Sequence, residues 1–409
     1  MFGFGTSQAV KRQGPRGSFD AWLVVALVGL ASVGLVMVTS SSIAVADSSH
    51  IGAFYYLKKD LLFLSLGALA AGFAMRIELK LLEKNAFPLL ALAFVLLLAV
   101  FVPHFGMRLN GARRWLNLGF TSFQPVEAVK LILVVYLASY LVRRRDDIET
   151  NVLGLIKPIM VAGTLVGLLL LQPDFGSSML VITVTIGMVW LGGARPLYLC
   201  GMGALLMPFL YIAATSESYR MKRFTTFMNP WEHPFTDGFQ LTQSLMAIGR
   251  GEWTGVGLGS SVLKLSYLPE SHTDFIFAVI GEELGLVGII LVMGLFALAV
   301  GRGLAMGLKG VEVGQRFAGY VAFGISLMLA MQAIVSVGVN LGALPTKGLT
   351  LPLISYGGSS MALTCAMAGV LLRATYEINR ALDARQMAKR VPEAVAAADA
   401  ARPSEVAVA

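Results

Sequence analysis

Long apolar runs separated by short polar breaks dominate this chain. An α-helix rises about 1.5 Å per residue, so crossing a bilayer takes ~20 mostly apolar residues. Runs of that order lie near residues 20–40, 60–77, 86–103, 125–142, 155–171, 176–194, 197–214, 274–300, 317–340 and 350–373. The pattern predicts an all-α polytopic membrane protein with about ten transmembrane helices. An even number puts both termini on one side, and the basic residues identify that side. Lys11, Arg12 and Arg16 fall there, as do Arg76, Lys80 and Lys84, then Arg143, Arg144 and Arg145, then Arg302, Lys309 and Arg316. The positive-inside rule makes it the cytoplasm. The first run, Ala21 to Val38, precedes a cleavage-like "SIAVADS". At about 18 residues it exceeds a signal-peptide core of ~7–15, so it reads as an uncleaved helix.

Composition agrees. Only 14% of the residues are charged and 56% are hydrophobic, with mean hydropathy +0.74. A soluble domain carries about 25% charged residues. The net charge of +8 follows from the cytoplasmic clusters and calls for no nucleic acid. Cys200 and Cys365 sit in separate apolar runs, with no zinc spacing or disulfide framework. His50, His104, His233 and His272 are scattered, which argues against a histidine metal centre. Residues 1–18 read as a cytoplasmic tail, 19–380 as the transmembrane domain, and the alanine-rich 381–409 as a disordered cytoplasmic tail. No internal repeat supports an inverted-repeat transporter.

The polar segments expected on the outer face carry the chemistry. They are residues 106–130, a long loop over 216–272, and residues 340–360. Pro345, Pro352, Gly357 and Gly358 predict irregular backbone before the last helix, which is tolerated at membrane depth only when protein or a wet cavity surrounds it. The long loop holds Arg220, Lys222, Arg223, Arg250 and Lys264. It also holds Gly249, Gly251, Gly255, Gly257 and Gly259, whose N–H groups could form an anion nest or simply a flexible loop.

Two carboxylate groupings stand out at membrane depth. Glu127 and Lys130 are three apart on a helix and can pair, as a structural ion pair or to position substrate. Asp274 lies at the mouth of an apolar helix, in "LPESHTDFIFAVIGEELG". A carboxylate there is expensive and marks function. Glu282 and Glu283 lie roughly 12–14 Å deeper and read as capped or paired structural groups, with proton relay as the lesser alternative. Small residues at Gly281, Gly285, Gly288, Gly319, Gly324 and Ser326 offer a face for a partner helix.

"NPWEHPFTDGFQLTQSLMAIGRG", "LPESHTDFIFAVIGEELG" and "LPTKGLTLPLISYGGSS" together resemble the SEDS proteins of bacterial shape, elongation, division and sporulation. The resemblance covers about residues 20–378. "YRMKRFTTFMNPWEHPF" and "QPDFG" look more like the division branch than the elongation branch. It implies polymerisation of lipid II, an undecaprenyl-pyrophosphate disaccharide-peptide, into glycan strands during septal wall synthesis in the bacterial inner membrane. It implies Asp274 as the essential aspartate and Glu127 and Lys130 as the family's fourth-helix pair. It also implies a class B penicillin-binding protein, a transpeptidase, as partner, with other divisome membrane proteins.

The chemistry fits the expected position of Asp274. A β-1,4 bond made from an α-linked pyrophosphate inverts the anomeric carbon, so one base and positive charge on the leaving group suffice. Asp274 is the candidate base. Arg113, Arg114, Arg220, Arg223, Arg250 and Lys347 are candidates for the phosphates. No organic cofactor is implied. A divalent cation held by Asp274 could share the work, although no carboxylate cluster marks a site. The alternatives are a lipid II flippase, which needs a polar path through both leaflets, and a non-catalytic divisome scaffold, which needs no Asp274.

Overall fold

The computed structural model describes residues 17–48, 54–109, 112–117, 121–201, 225–265, 267–346 and 348–400, with positions 52, 119, 203, 204 and 208 besides. The first half contains α1 (Ala21–Ser48), α2 (Tyr55–Arg76), α3 (Leu79–Lys84), α4 (Ala86–Ala99), α5 (Pro125–Arg143), α6 (Arg145–Thr150), α7 (Leu153–Leu171) and α8 (Phe175–Leu191). Between α4 and α5 lies an antiparallel sheet of β1 (Gly106–Leu109), β2 (Ala112–Asn117) and β3 (Ser122–Phe123), in that order. Gly106 pairs with Leu116, and Leu116 pairs with Phe123. The second half contains α9 (Phe239–Arg250), α10 (Ile276–Glu312), α11 (Arg316–Asn340) and α12 (Gly358–Ala400).

Among the described residues, six helices are long and apolar enough to cross a membrane: α1, α5, α7, α10, α11 and α12. The shorter apolar α4 and α8, together with α2, match three further expected spans. The chain is therefore a multi-pass membrane protein. The span expected over 197–214 falls largely outside the described residues.

Burial orders these helices. α5 and α11 are buried around most of their circumference, so they form the centre of the bundle. α1 and α4 present Trp22, Val25, Val28, Val95 and Leu98 outward, as lipid-facing helices should. The small residues expected to receive a partner helix are used within the chain itself. A Cβ on Gly319 would lie 2.7 Å from the Gly307 carbonyl oxygen, and one on Gly324 would lie 2.4 Å from Val134 Cγ1. Ser326 is fully buried and faces Gly303. These residues let α10, α11 and α5 approach closely, and no open docking face remains at Gly319 or Gly324.

The tail also differs from expectation. α12 runs on to Ala400, past the point at which disorder is expected. Its "EAVAAADA" end is rich in alanine, the strongest helix former, which needs no buried face to favour a helix.

A break in α10 gives the glycine-rich loop its role. Gly285 has φ 63° and ψ −160° within the helix, which releases backbone groups on either side. The loop satisfies them. Val256 and Gly257 donate to the carbonyls of Glu282 and Glu283 at 3.0 and 3.1 Å, and Leu286 and Val287 donate to those of Glu252 and Trp253 at 3.0 and 3.1 Å. Buried backbone groups must be paired, and inside a membrane only protein can pair them. Of the N–H groups that a nest would offer to an anion, that of Gly257 is used at this junction, and those of Gly251 and Gly255 go to the Ile248 and Gly251 carbonyls. Close approach requires glycine: a Cβ on Gly255, at φ +81°, would lie 2.1 Å from the Glu283 carbonyl oxygen. At Gly259, φ is also positive, +82°, but nothing lies within 4 Å. Gly255→Ala should therefore cost roughly 1–3 kcal/mol more than Gly259→Ala, read as a larger fall in Tm in detergent. Equal shifts would mean that the loop does not fill the break.

Candidate functional site

Asp274 sits in the turn leading into α10, whose first residue is Ile276, and its side chain is half-buried. Three segments hold that turn. From α11, Asn340 Nδ2 donates to the Asp274 carbonyl at 3.0 Å, while Asn340 Oδ1 accepts from the Ala278 N–H at 3.1 Å. From the segment before α12, Ser355 Oγ donates to the Thr273 carbonyl at 2.7 Å, and the Tyr356 N–H donates to the His272 carbonyl at 3.0 Å. From within the turn, the N–H groups of Thr273 and Phe275 both donate to the Glu270 carbonyl at 3.1 Å. From α9, Ser244 Oγ donates to the Asn340 carbonyl at 2.8 Å and so steadies the anchor itself.

The carboxylate is approached by backbone. A Cβ on Gly348 would lie 2.8 Å from Asp274 Oδ2, so a larger residue there would push the carboxylate aside. The described residues of the surrounding segment, 341–357, form no helix or strand. Its second half is enclosed nonetheless. Leu351, Leu353 and Ile354 are buried, and Gly34 of α1 backs directly onto the Leu353 carbonyl. From Leu349 to Ser355 this is irregular backbone largely surrounded by protein, as its prolines and glycines predict.

The start of α12 meets the start of α5, the helix that carries the paired residues. Gln124, just before α5, donates its N–H to Ser359 Oγ at 3.1 Å, and Thr350 and Ser360 meet at 3.3 Å between their hydroxyls. Three residues on, Lys130 Nζ lies 2.7 Å from Glu127 Oε1, with the lysine fully buried. Among the described residues Glu127 Oε2 has no hydrogen-bond partner, so one acceptor of the pair is uncommitted.

Glu282 and Glu283 are both capped or paired. Glu282 accepts from Ser261 Oγ and from the Val262 N–H, and Arg250 lies 3.5 Å away. Glu283 pairs with Lys264 at 2.6 Å and accepts from Ser40 Oγ of α1. Lys264 also donates to Ser40 Oγ and to the Gly259 carbonyl. Both carboxylates therefore fasten the outer loop to the broken helix.

The expected cationic residues divide. Arg113 is exposed on β2. Arg114 is bound to backbone, donating to the Gln172 carbonyl at 3.1 Å and to the Pro173 carbonyl, so it ties the sheet to the α7–α8 turn. Asp174 caps α8 there, accepting from the Ser177 N–H at 3.1 Å. Arg250 is half exposed at the end of α9 and leans on Glu282. Arg220, Arg223 and Lys347 lie outside the described residues. Among the described residues no three His, Cys, Asp or Glu side chains converge as metal ligands.

Sequence reasoning missed Asn340, Ser355 and Gly348. Asn340 closes an otherwise apolar helix, and a lone asparagine at that place is a legible signal of a polar anchor. Ser355 and Gly348 lie in a segment expected to be irregular, but nothing in its composition assigns them to Asp274.

Residues 21–380 match the cell cycle protein family of FtsW, RodA and SpoVE. The chain is 56% identical over 374 residues to a probable peptidoglycan glycosyltransferase FtsW of Xanthomonas oryzae pv. oryzae, covering 91% of this chain and 76% of that relative. It is 45% identical to a probable peptidoglycan glycosyltransferase FtsW of Coxiella burnetii, covering 88% and 97%. Among solved structures, it is similar to a chain of a peptidoglycan synthase complex described as coordinating polymerization and crosslinking. That match has 30% identity and a TM-score of 0.73, covering 88% of this chain and 98% of that one. It is also similar to the rod shape determining protein RodA of Thermus thermophilus, with 29% identity and a TM-score of 0.64, covering 88% and 97%.

Proposed function

Because this chain belongs to the SEDS family of cell-cycle proteins, we propose that it is a peptidoglycan glycosyltransferase that polymerises lipid II with Asp274 as general base. The observation that carries the reading is the clamped turn: Asp274 is held at the end of a membrane helix by α11, by the segment before α12 and by the backbone of Gly348. Such preorganisation serves chemistry at a fixed point and does nothing for a moving carrier.

The step is a single displacement. The acceptor 4-hydroxyl oxygen bonds to the anomeric carbon of the donor, and the bond from that carbon to the pyrophosphate oxygen breaks. Asp274 takes the hydroxyl proton, and the lipid pyrophosphate departs with the electron pair. Positive charge on the leaving group lowers the barrier. Arg113 and Arg250 are exposed enough to supply it, and Arg220, Arg223 and Lys347 are proposed alongside them. The buried pair of Glu127 and Lys130 does not itself reach solvent, and it positions substrate indirectly, by fixing the start of α5.

In this reading both termini face the cytoplasm, Asp274 and the 225–275 region face the periplasm, and 19–380 form one transmembrane domain. The protein works in the bacterial inner membrane at the division septum. A class B penicillin-binding protein is its transpeptidase partner, in keeping with the synthase complex to which the chain is similar, and other divisome membrane proteins join them.

The test is the product of purified protein given lipid II. Glycan strands whose new linkages are all β by NMR are expected. Retained, α-configured linkages would overturn the single displacement.

A further inference from the structure

The proposed chemistry leaves one buried carboxylate of α2 without a task. Asp60 is 1% exposed, and among the described residues neither of its carboxylate oxygens has a hydrogen-bond partner. An orphaned, buried acidic group is costly, and such groups persist in native proteins where function requires them. A second orphan lies nearby. His272 is two residues before Asp274, and among the described residues its Nδ1 is buried without a partner.

An aromatic layer joins the two. Tyr56 is one helical turn before Asp60 and so shares its face of α2. The Tyr56 ring lies 4.9 Å from the His272 ring and 5.4 Å from the Tyr356 ring, between centroids, and His272 and Tyr356 lie 5.7 Å apart. Gly67, two turns beyond Asp60 on the same face of α2, packs against Cys365 and Ala362 of α12, so Asp60 faces the start of that helix. Tyr356 also holds the His272 carbonyl through its own N–H. Burial lowers the proton affinity of His272, against the opposing charge of Glu270, and an imidazole keeps at least one N–H to donate in either state.

We propose that Asp60 is a positioning residue for the glycosyl-transfer step, acting through His272 and the Tyr56–Tyr356 layer to fix the turn that carries Asp274. When substrate closes on the site, Asp60 is the acceptor for the His272 Nδ1–H. That sets the imidazole, and with it the backbone of Thr273 and Asp274. The substrate never touches Asp60, because no atom of its carboxylate is accessible. A second-layer carboxylate that orients a histidine is a recurrent device in catalytic sites. This inference rests on the glycosyltransferase reading.

The test compares Asp60→Leu and Asp60→Asn with the unaltered protein, measuring glycan formation from lipid II and Tm in detergent. A positional error of an ångström at the reacting group costs on the order of a hundredfold in rate. Asp60→Leu should therefore lower kcat about 30- to 100-fold with KM within about twofold, and should raise Tm, because an orphaned acid is replaced by a packed apolar group. Asp60→Asn keeps one acceptor oxygen and should recover part of the rate. A purely structural Asp60 would instead lose Tm and activity together. That result overturns the inference, as does Asp60→Leu with kcat within twofold of the unaltered protein. If the unaltered protein makes no glycan strands, the glycosyltransferase reading fails and this inference falls with it. An active parent with an equally active Asp60→Leu variant overturns this inference alone.

Discussion

Asp274→Asn is expected to give a folded, membrane-inserted protein that makes no measurable glycan product. Asparagine keeps the size of the side chain and removes the base. The turn is held largely through backbone atoms, by Asn340 on the Asp274 carbonyl and by Ser355 on the Thr273 carbonyl, and those bonds survive the change. Loss of a general base alone costs about 10²–10⁴-fold. The variant should match the parent in size-exclusion profile and in Tm while product from purified lipid II disappears. Synthesis at the parental rate would remove Asp274 from the mechanism.

The second large effect concerns the ion pair of α5. Lys130 is fully buried and Glu127 nearly so, with 2.7 Å between them. Glu127→Ala leaves an uncompensated buried ammonium, at a cost on the order of 3–5 kcal/mol. Lys130→Ala leaves the carboxylate in the same position. Each single change should lower both Tm and yield and abolish activity. A double change to Gln and Met removes both charges and should restore much of the stability. It should not restore activity, because the pair also positions substrate. Single variants with parental Tm and activity would show that these residues do not compensate one another.

The two effects have different origins, and this bears on what could be read from the sequence. Membrane architecture was legible because lipid enforces it: every span must be apolar and about the same length. The Glu127 and Lys130 pair was legible because helical spacing puts residues three apart on one face. Glu282 and Glu283 were legible as capped or paired groups because they lie deep in a helix whose Gly281 and Gly285 invite close packing, and both are found paired or capped. Other features depended on long-range contacts that no local pattern encodes. The glycine run looked like a nest or a flexible loop. Its purpose appears only once α10 is seen to break at Gly285 and expose the groups that the loop then satisfies. The small residues of α11 suggested an open face, yet Gly319 and Gly324 are filled by α10, α5 and α8. Asn340 and Gly348 act on Asp274 across 66 and 74 positions of sequence, which composition and periodicity do not span. Asp60 went unnoticed because one aspartate at the edge of a span reads as an ordinary end group.

The central claim is that this bundle makes glycan strands and does not merely carry or scaffold their precursor. The most direct measurement supplies purified lipid II in detergent micelles, where no transport across a bilayer can be scored, to the purified protein with its transpeptidase partner. The account predicts glycan strands that are absent with Asp274→Asn. It is contradicted if the micellar sample yields no strands while the same protein in sealed vesicles moves lipid II from one leaflet to the other.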